Sequence, residues 1–362
     1  MKSIFDTESL TTFLKENKIP SFRAKQIYTD IFQHSILDFD QMSTLPKEFR
    51  STLSDHFYII PFELDSIHEW TDSTKIWFKL EDGSIIESVI MYHYHDFPQR
   101  HLNRITLCIS SQVWCPVWCI FCVTGKLWFG KNLWYDVMVW QMLWVNNYLK
   151  SKLGKKEDGT TWKIRNMVFM GMGEPLLNYE NMKITIQYAL WQSYFWLSKR
   201  HVTISTSGIV PGILRLIDDN IDCKLALSLH APNQALREKL IPTISKAYTL
   251  EKLMDAIDRY TDHTDNRIFY EYIMIDGMTD EIDTAHELVD LLKDRNAHVN
   301  LIPYNPNPAM PDLKESSTEQ IRAFRDILEQ GWLTVTTRDN HGRKIKWACG
   351  QLWYEKIAKK MV

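Results

Sequence analysis

Seven short runs rich in apolar and β-branched residues alternate with helical patterns, and this alternation constrains the fold of the chain most strongly. The strand-like runs lie at residues 105–110, 167–170, 201–206, 223–229, 268–275, 298–303 and 333–337. The helical stretches lie at residues 135–151, 180–192, 212–219, 250–260, 281–295 and 318–330. Because alternating strands and helices form βα units around a parallel sheet, the pattern predicts an α/β fold, a partial (β/α)6 barrel. In such barrels, reactive groups gather where strands end and the next loops begin.

The first hundred residues follow a different pattern. Residues 9–16, 22–34 and 47–56 mix polar and apolar positions at helical spacing, with breaks at Pro20 and Pro46. Two β-rich runs follow, and the Asp82-Gly83 turn between them predicts a hairpin. We therefore expect an N-terminal helical accessory domain over 1–60, a β-hairpin extension over 61–100, the core barrel over 101–345 and a C-terminal loop and tail over 346–362.

Composition narrows the class of protein. The chain has 362 residues, of which 45% are hydrophobic and 24% are charged, which is typical of a globular protein. Its net charge of -3 shows no general basic excess, so any contact with nucleic acid must come from local basic patches. The N-terminus has no apolar signal core, and the apolar stretch 133–145 is too short to span a bilayer. We expect a cytoplasmic protein with no membrane contact.

Four of the six cysteines lie within fifteen residues, and three of them form the pattern C-x3-C-x2-C at Cys115, Cys119 and Cys122. This pattern follows the first barrel strand, in a βα loop. Three thiolates can ligate three irons of a 4Fe–4S cluster and leave the fourth iron open to another ligand. A zinc site with Cys108 as fourth ligand is an alternative, although structural zinc sites usually show two paired knuckles. A third interpretation is that these cysteines are buried and chemically inert.

A second segment supports the cluster interpretation. Residues 171–174, with the sequence GMGE, follow an apolar strand directly. Small residues at a strand end let the backbone approach a ligand closely, and the carboxylate of Glu174 can hold an ammonium group. Together the two motifs resemble radical S-adenosylmethionine enzymes. In those enzymes the amine and carboxylate of the cofactor occupy the open iron, and this second segment contacts the amine.

The resemblance becomes specific over nearly the whole chain. The sequence is similar to the RlmN family of RNA adenine-C2 methyltransferases in CISSQV at 108–113, CVTG at 122–125, GMGEPLLN at 171–178, TISTSG at 203–208, LSLHAP at 227–232, LIPYNP at 301–306 and ACGQL at 348–352. The sibling Cfr family, which methylates carbon 8 of adenine, shares the cluster and the terminal cysteine motif. Here Glu174-Pro175, Thr206-Ser207-Gly208 and Ala231-Pro232 favour the carbon 2 family.

The resemblance implies a set of site residues. The cluster ligands would be Cys115, Cys119 and Cys122. The residues lining the S-adenosylmethionine pocket would be Gly173, Glu174, Ser205, Ser228, Leu229, His230 and Asn305. The catalytic residues would be Cys349 as methyl carrier, Cys108 as its partner in a transient disulfide, and Glu87 as acceptor of the ring proton. Cys223 matches no role in the family and is interpreted as a buried structural cysteine.

The resemblance also implies cofactors and partners. One 4Fe–4S cluster per chain and two molecules of S-adenosylmethionine per methylation are expected. The first molecule methylates Cys349, and the second supplies the radical that activates this methyl group. The substrates would be 23S rRNA, at the peptidyl transferase centre, and tRNA, at an adenine next to the anticodon. An electron donor such as flavodoxin or ferredoxin would reduce the cluster, and the protein would act as a monomer.

Basic residues that could contact RNA phosphates are scattered along the chain. The candidates are Arg23, Lys25, Lys47, Arg50, Lys199, Arg200, Arg338, Arg343, Lys344 and Lys346.

One feature departs from the family pattern. At a typical usage of about 7%, a chain of this length would hold about 25 glycines, but it has 13, together with 14 tryptophans. Tryptophan stands where the family usually has glycine or another small residue at Trp114, Trp118, Trp128, Trp140, Trp196, Trp347 and Trp353. A bulky side chain in the cysteine loop predicts lower cluster occupancy. An RNA-binding protein that has lost catalysis is therefore the alternative from a different functional class.

Overall fold

The computed structural model describes residues 1–95, 101–126, 130–307 and 309–338. The strands in these residues are β1 Lys2–Ser3, β2 Phe57–Tyr58, β3 Phe62–Glu69, β4 Ser73–Leu80, β5 Ile85–His95, β6 His101–Cys108, β7 Gln112–Val113, β8 Lys131–Asn132, β9 Asn166–Phe169, β10 Val202–Thr206, β11 Lys224–Ser228, β12 Ile268–Met274, β13 Ala297–Pro303 and β14 Thr334–Thr337. The α-helices are α1 Thr7–Glu16, α2 Phe22–Tyr28, α3 Lys47–His56, α4 Tyr135–Leu153, α5 Tyr179–Leu190, α6 Val210–Asp218, α7 Gln234–Leu240, α8 Pro242–Ala247, α9 Leu250–Thr264, α10 Ile282–Leu292 and α11 Thr318–Gln330.

A ten-stranded sheet forms the centre of the molecule, in the order β14-β13-β12-β11-β10-β9-β6-β5-β4-β3. Neighbouring strands from β6 through β9 to β14 are parallel. Each of their six connections passes through at least one helix, from α4 after β6 to α11 before β14. This arrangement confirms the partial (β/α)6 barrel. Strands β3 to β6 are antiparallel and continue the same sheet beyond the barrel.

The hairpin over β4 and β5 forms at the turn expected from the sequence. Gly83 adopts a φ of 79°, which favours glycine, and the backbone N–H of Ser84 donates to the Asp82 carboxylate at 3.0 Å. Strand β3, which the sequence analysis did not predict, pairs with β4 on its other side. Helices α7 and α8 were also missed, because segments of seven and six residues are too short to show clear helical periodicity.

Side-chain caps fix where several barrel helices begin. Asn233 accepts from the backbone N–H of Leu236 at 2.9 Å before α7, and Ser317 accepts from that of Gln320 at 3.1 Å before α11. Each cap satisfies a backbone donor that the helix cannot, which contributes about 1 kcal/mol. The caps therefore help to set the length of the loops around the barrel mouth.

The N-terminal helices pack against the barrel through aromatic side chains. After α2, the residues Thr29–Gln33 continue in π-helical geometry and bury Phe32. The ring of Phe5 lies 5.7 Å from that of Phe32 and 6.2 Å from that of Trp140 on α4. These residues belong to one apolar cluster that extends into the barrel. Within the described ranges, the helices are too short or too polar for any of them to cross a membrane.

Candidate active site

A cavity of about 160 Å³ lies at the carboxyl ends of the parallel strands. Its wall includes residues from the loop after β6, from the ends of β9 to β13 and from the residue after β14. Among the residues predicted for the site, it is lined by Cys115, Cys119, Cys122, Gly173, Glu174, Ser205, Ser228, His230 and Asn305. Residues predicted separately, from different strands, thus meet around a single space.

The cysteine loop holds its three thiols against this cavity. Burial raises the pKa of Cys115 and of Cys119 above the ordinary thiol range, so both thiols resist ionisation without a positively charged partner. Within the described ranges, no three cysteine, histidine or acidic side chains converge as ligands of one metal ion. A 4Fe–4S cluster places each thiolate on a different iron, so its ligands border a larger space, and all three cysteines line the same cavity.

The position of Cys108 argues against the zinc alternative. Cys108 ends β6 and packs with Trp77, Val89 and Met172 in a separate buried cluster, and it does not line the cavity. A tetrahedral zinc ion would require its sulfur within about 2.3 Å of the metal, together with the other three. The donor set at the cavity therefore fits a three-thiolate cluster better than a four-cysteine zinc site.

The segment after β9 fits tightly against the loop after β6. A Cβ atom at Gly171 would lie 2.4 Å from the carbonyl oxygen of Ile109, and one at Gly173 would lie 2.7 Å from the side chains of Ser111 and Gln112. Gly173 also has a φ of 109°, which side chains other than glycine rarely permit. Glycine at both positions lets the two loops approach closely enough to form one wall of the cavity.

Glu174 is buried in this wall, and neutral donors hold its carboxylate. Oε1 accepts from the backbone N–H of Leu176 at 3.1 Å. Oε2 accepts from the backbone N–H and the hydroxyl of Ser207, at 2.7 and 2.8 Å. Burial raises the pKa of Glu174, and these hydrogen bonds lower it. A carboxylate has about four acceptor positions, so capacity remains for an ammonium group in the cavity.

His230 has a defined tautomer in the opposite wall. Its Nδ1 accepts from the backbone N–H of Ile273 at 3.1 Å, so the ring proton of neutral His230 resides on Nε2. Burial, followed by the charge of Arg237, lowers the pKa of His230 to about 3. The ring meets Phe121 edge to face with centroids 4.8 Å apart. His230 is therefore a neutral group that links the cysteine loop to β12.

Leu229 occupies a different environment from the other predicted pocket residues. Its side chain is fully buried and belongs to the apolar core, and it does not line the cavity. Its backbone N–H donates to the carbonyl of Glu271 at 3.1 Å. The backbone of Leu229 thus joins the end of β11 to β12. Its two neighbours in the chain, Ser228 and His230, line the cavity.

Glu87 lies in the antiparallel part of the sheet and is fully buried. One of its oxygens lies 3.2 Å from Nζ of Lys75, which is 1% exposed, and the other accepts from the indole N–H of Trp77 at 2.8 Å. Lys75 also lies over the Trp77 ring, 4.7 Å from its centroid. Glu87 is therefore an ion-paired group of the interior and not a solvated hairpin residue.

The remaining predicted positions fall outside the described residues. They are Cys349, Trp128, Trp347, Trp353, Arg343, Lys344, Lys346 and the predicted tail over 346–362.

Two groups at the cavity were not recognised in the sequence. The guanidinium of Arg237 is fully buried and donates to the carbonyl of Ser228 at 2.9 Å and to those of Leu229 and Ser207. Burial lowers the pKa of Arg237 to about 10, against the opposite effect of Cys119. No sequence motif identifies this arginine, because it contacts backbone carbonyls at the ends of two different strands.

The second group is an acid–base pair inside the cavity. Glu271 on β12 is 3% exposed, and its Oε1 accepts from Arg338 at 2.7 Å and from Asn300 at 3.0 Å. Arg338, a candidate for contact with RNA phosphates, thus lies at the cavity and pairs with an acid of the same protein. The sequence signal for this site was Glu271 itself, because it is a charged residue within an otherwise apolar strand.

Comparison with known proteins places this architecture in a family. Residues 109–289 match the radical SAM superfamily, and residues 4–59 match the ribosomal RNA large subunit methyltransferase N-terminal domain. The chain is 39% identical over 361 residues to a probable dual-specificity RNA methyltransferase RlmN of Thermotoga petrophila, with 99% of both chains covered. The chain belongs to the RlmN family.

Other members and one solved structure agree with this assignment. An RlmN relative of Chloroherpeton thalassium is 40% identical over 351 residues, covering 95% of this chain and 91% of the relative. The crystal structure of a radical SAM methyltransferase from Sphaerobacter thermophilus superposes with a TM-score of 0.86 at 35% identity, covering 96% of this chain and 97% of the other. The RlmN fold thus extends from the N-terminal helices through the barrel.

Proposed function

We propose that this chain is a radical S-adenosylmethionine RNA methyltransferase that adds a methyl group to carbon 2 of adenine. Its substrates are 23S rRNA at the peptidyl transferase centre and tRNA next to the anticodon, and it acts in the cytoplasm as a monomer. The observation that carries the proposal is the meeting of three thiols, the GMGE segment and the polar ends of β10, β11 and β13 around one cavity. Full-length similarity to RNA methyltransferases supports the substrate class.

The cavity residues would divide the cofactors between them. Cys115, Cys119 and Cys122 would hold the 4Fe–4S cluster, and Gly173, Glu174, Ser205, Ser228, His230 and Asn305 would hold S-adenosylmethionine. Leu229 would contribute through its backbone, which positions Ser228 and His230. When bound, and reduced by a flavodoxin or ferredoxin, the cluster supplies the electron that cleaves this cofactor. Neutral His230 can donate through Nε2, and Glu174 can accept from an ammonium group.

Three residues outside the cofactor wall would handle the methyl group and the proton. The Cys349 thiolate takes a methyl from one S-adenosylmethionine by displacement, which releases S-adenosylhomocysteine. After that carbon has been activated and joined to the adenine ring, Glu87 accepts the ring proton. The Cys108 thiolate then attacks the Cys349 sulfur. The bond from that sulfur to the carbon breaks, the carbon takes up a proton to become the new methyl group, and the two cysteines are left as a disulfide that must be reduced.

Product analysis tests the proposal directly. The protein is reconstituted anaerobically with iron and sulfide and incubated with ribosomal RNA, tRNA, reductant and S-adenosylmethionine. Digested RNA should contain 2-methyladenosine; 8-methyladenosine would identify a Cfr-type enzyme instead. RNA binding without iron incorporation or turnover would identify a member of the family that has lost catalysis. The bulky side chains of Trp114 and Trp118 in the cysteine loop favour this alternative.

Cysteine variants separate the steps. Cys349→Ala should retain iron but form no methylated RNA, and Cys108→Ala should leave RNA covalently attached to the protein. Cys223→Ala is the matched control, because Cys223 is buried away from the cavity and has no expected part in the reaction. Normal turnover by Cys349→Ala would contradict the methyl-carrier role.

A further inference from the structure

At the cavity, Glu271 presents a carboxylate oxygen for which the described residues supply no hydrogen-bond partner. Its Oε1 is shared by Arg338 and Asn300. Its Oε2 is buried and has no hydrogen-bond partner among the described residues. An unsatisfied buried acceptor is costly, so such groups commonly mark a ligand position. Because Glu271 lines the same cavity as the cofactor candidates, the missing donor is expected to come from a ligand there.

The strand register indicates which donor this is. Glu271 on β12 lies directly opposite Ser228 on β11 and Asn300 on β13. It therefore lies beside a residue proposed to bind S-adenosylmethionine. The donors of this cofactor are its ammonium group, which is proposed to bind Glu174, the amino group of its adenine, and the two adjacent hydroxyls of its ribose. We propose that Glu271 binds a ribose hydroxyl of S-adenosylmethionine through Oε2; this assignment rests on the proposed function.

Deoxy analogues of the cofactor test this contact through binding rather than turnover. The cluster-loaded protein should bind S-adenosylmethionine at least about tenfold more tightly than its 2′-deoxy or its 3′-deoxy analogue, as expected for a hydrogen bond to a charged acceptor. Glu271→Gln keeps an acceptor for Asn300 and Arg338 but replaces the second oxygen by an amide, so this preference should fall to a few-fold. Asn300→Ala, which removes a neighbour of Oε1 only, should keep the preference.

The outcomes separate the two proposals. Equal binding of the cofactor and both analogues by the unmodified protein would overturn the role of Glu271 while leaving cofactor binding intact. A Glu271→Gln variant that weakens all three ligands by the same factor would also overturn it, since the effect would then be structural. Failure of the loaded protein to bind S-adenosylmethionine would overturn the proposed function itself.

A second inference comes from backbone conformation. Nine residues other than glycine have positive φ in the described part of the chain, and four of them are Trp114, Trp118, Trp196 and Trp332, with φ between 54° and 65°. Only 14 of 362 residues are tryptophan, so chance placement would put fewer than one there. Tryptophan gains nothing from the left-handed region, whereas glycine is the residue that occupies it without steric cost.

The surroundings of Trp332 also suit glycine. Trp332 follows α11 in a Schellman motif, in which its N–H donates to Glu329 and the N–H of Leu333 donates to Leu328. Glycine is the usual residue at this position, and the Trp332 side chain is 95% exposed and thus adds little packing. By contrast, Trp77 is buried and its indole donates to Glu87, so its side chain has a structural function.

We infer that Trp114, Trp118, Trp196 and Trp332 occupy positions at which the source cell inserts glycine. The triplet UGA is a stop signal in the standard genetic code but a sense codon in several variant codes. A gene that uses UGA for glycine would give this chain if the triplet were translated as tryptophan. The same substitution accounts for part of the shortage of glycine and part of the excess of tryptophan.

Two measurements test this inference. The gene should carry UGA at the four positions and UGG at Trp77, which serves as the internal control. Peptide mass spectrometry of the protein purified from its source should find glycine at the four positions and tryptophan at position 77. UGG codons or tryptophan-containing peptides at the four positions would overturn the inference. The Trp114→Gly, Trp118→Gly double variant should also bind more iron per chain after identical reconstitution than the chain with tryptophan.

Discussion

Two buried carboxylates show how differently the two parts of the sheet hold charge. Glu174, at the end of a parallel strand, is surrounded by neutral donors, the backbone N–H of Leu176 and the N–H and hydroxyl of Ser207. Glu87, in the antiparallel extension, faces the full charge of Lys75. Neutral donors leave the first carboxylate free to attract a cation from the cavity. The second carboxylate has its counter-charge within the protein, at Lys75.

The largest expected effect comes from breaking the internal ion pair. Lys75→Met would leave the buried Glu87 carboxylate without its counter-charge, so the free energy of unfolding should fall by about 3–5 kcal/mol in urea titrations. Lys79→Met on the same strand is the matched control. Lys79 pairs with Glu63 at 4.0 Å on the surface, and such pairs contribute about 0–1 kcal/mol.

A double variant distinguishes charge from packing in this result. Adding Glu87→Gln to Lys75→Met removes the uncompensated charge and should recover a large part of the lost stability. If the double variant were as unstable as Lys75→Met, the loss would come from side-chain packing around Trp77, and the ion-pair interpretation would be wrong.

These two carboxylates also show what could be predicted from sequence. Glu174 follows a strand within a recognisable motif, and strand ends in a parallel barrel converge, so its location could be anticipated. The pairing of Glu87 depends on the register of the hairpin. Once the turn is placed at Asp82-Gly83, Trp77 lies directly opposite Glu87 and Lys75 lies two residues away. The position of the turn therefore determines the neighbours of Glu87 on β4.

Arg237 and Glu271 belong to a third category. Their partners are backbone carbonyls and side chains contributed by separate strands far apart in the chain. A helix residue such as Arg237 has the same local pattern whether it faces solvent or a buried strand end. Only the packing of the barrel determines which of the two environments Arg237 occupies. For this reason the fold and most of the cavity wall could be predicted from the sequence, whereas the charged groups Arg237 and Glu271 could not.

The next effect is a smaller one at the neutral-donor site. Ser207→Ala removes the hydroxyl that donates to Glu174 at 2.8 Å but leaves the backbone N–H in place. The free energy of unfolding should fall by about 1–3 kcal/mol relative to the unmodified protein. Binding of S-adenosylmethionine should also weaken, because the Glu174 carboxylate would no longer be held in the same position. Ser66→Ala, which removes a surface hydrogen bond to Asp65, is the control and should change neither quantity. A loss as large as that of Lys75→Met would mean that neutral donors hold Glu174 as strongly as an ion pair holds Glu87.

The smallest effect is a pH dependence confined to the cavity. Burial lowers the pKa of His230 to about 3 in the folded protein, against 6.5 for the free side chain. Between these values the unfolded chain binds a proton that the folded protein excludes, so His230 contributes stability above pH 6.5 that is lost as pH falls. The slope is at most about 1.4 kcal/mol per pH unit.

His230→Asn isolates this contribution in the cluster-free protein. Asparagine tolerates the φ of 58° at this position, and its side-chain oxygen can accept the hydrogen bond from the N–H of Ile273. Unfolding free energies measured from pH 7.5 to 5 should fall more steeply for the unmodified protein than for the variant, and the two curves should run parallel above pH 7. Parallel curves over the whole range would show that His230 takes up a proton in the folded state. The cavity would then accommodate a positive charge as the Lys75–Glu87 site does, and the contrast between the two regions would not hold.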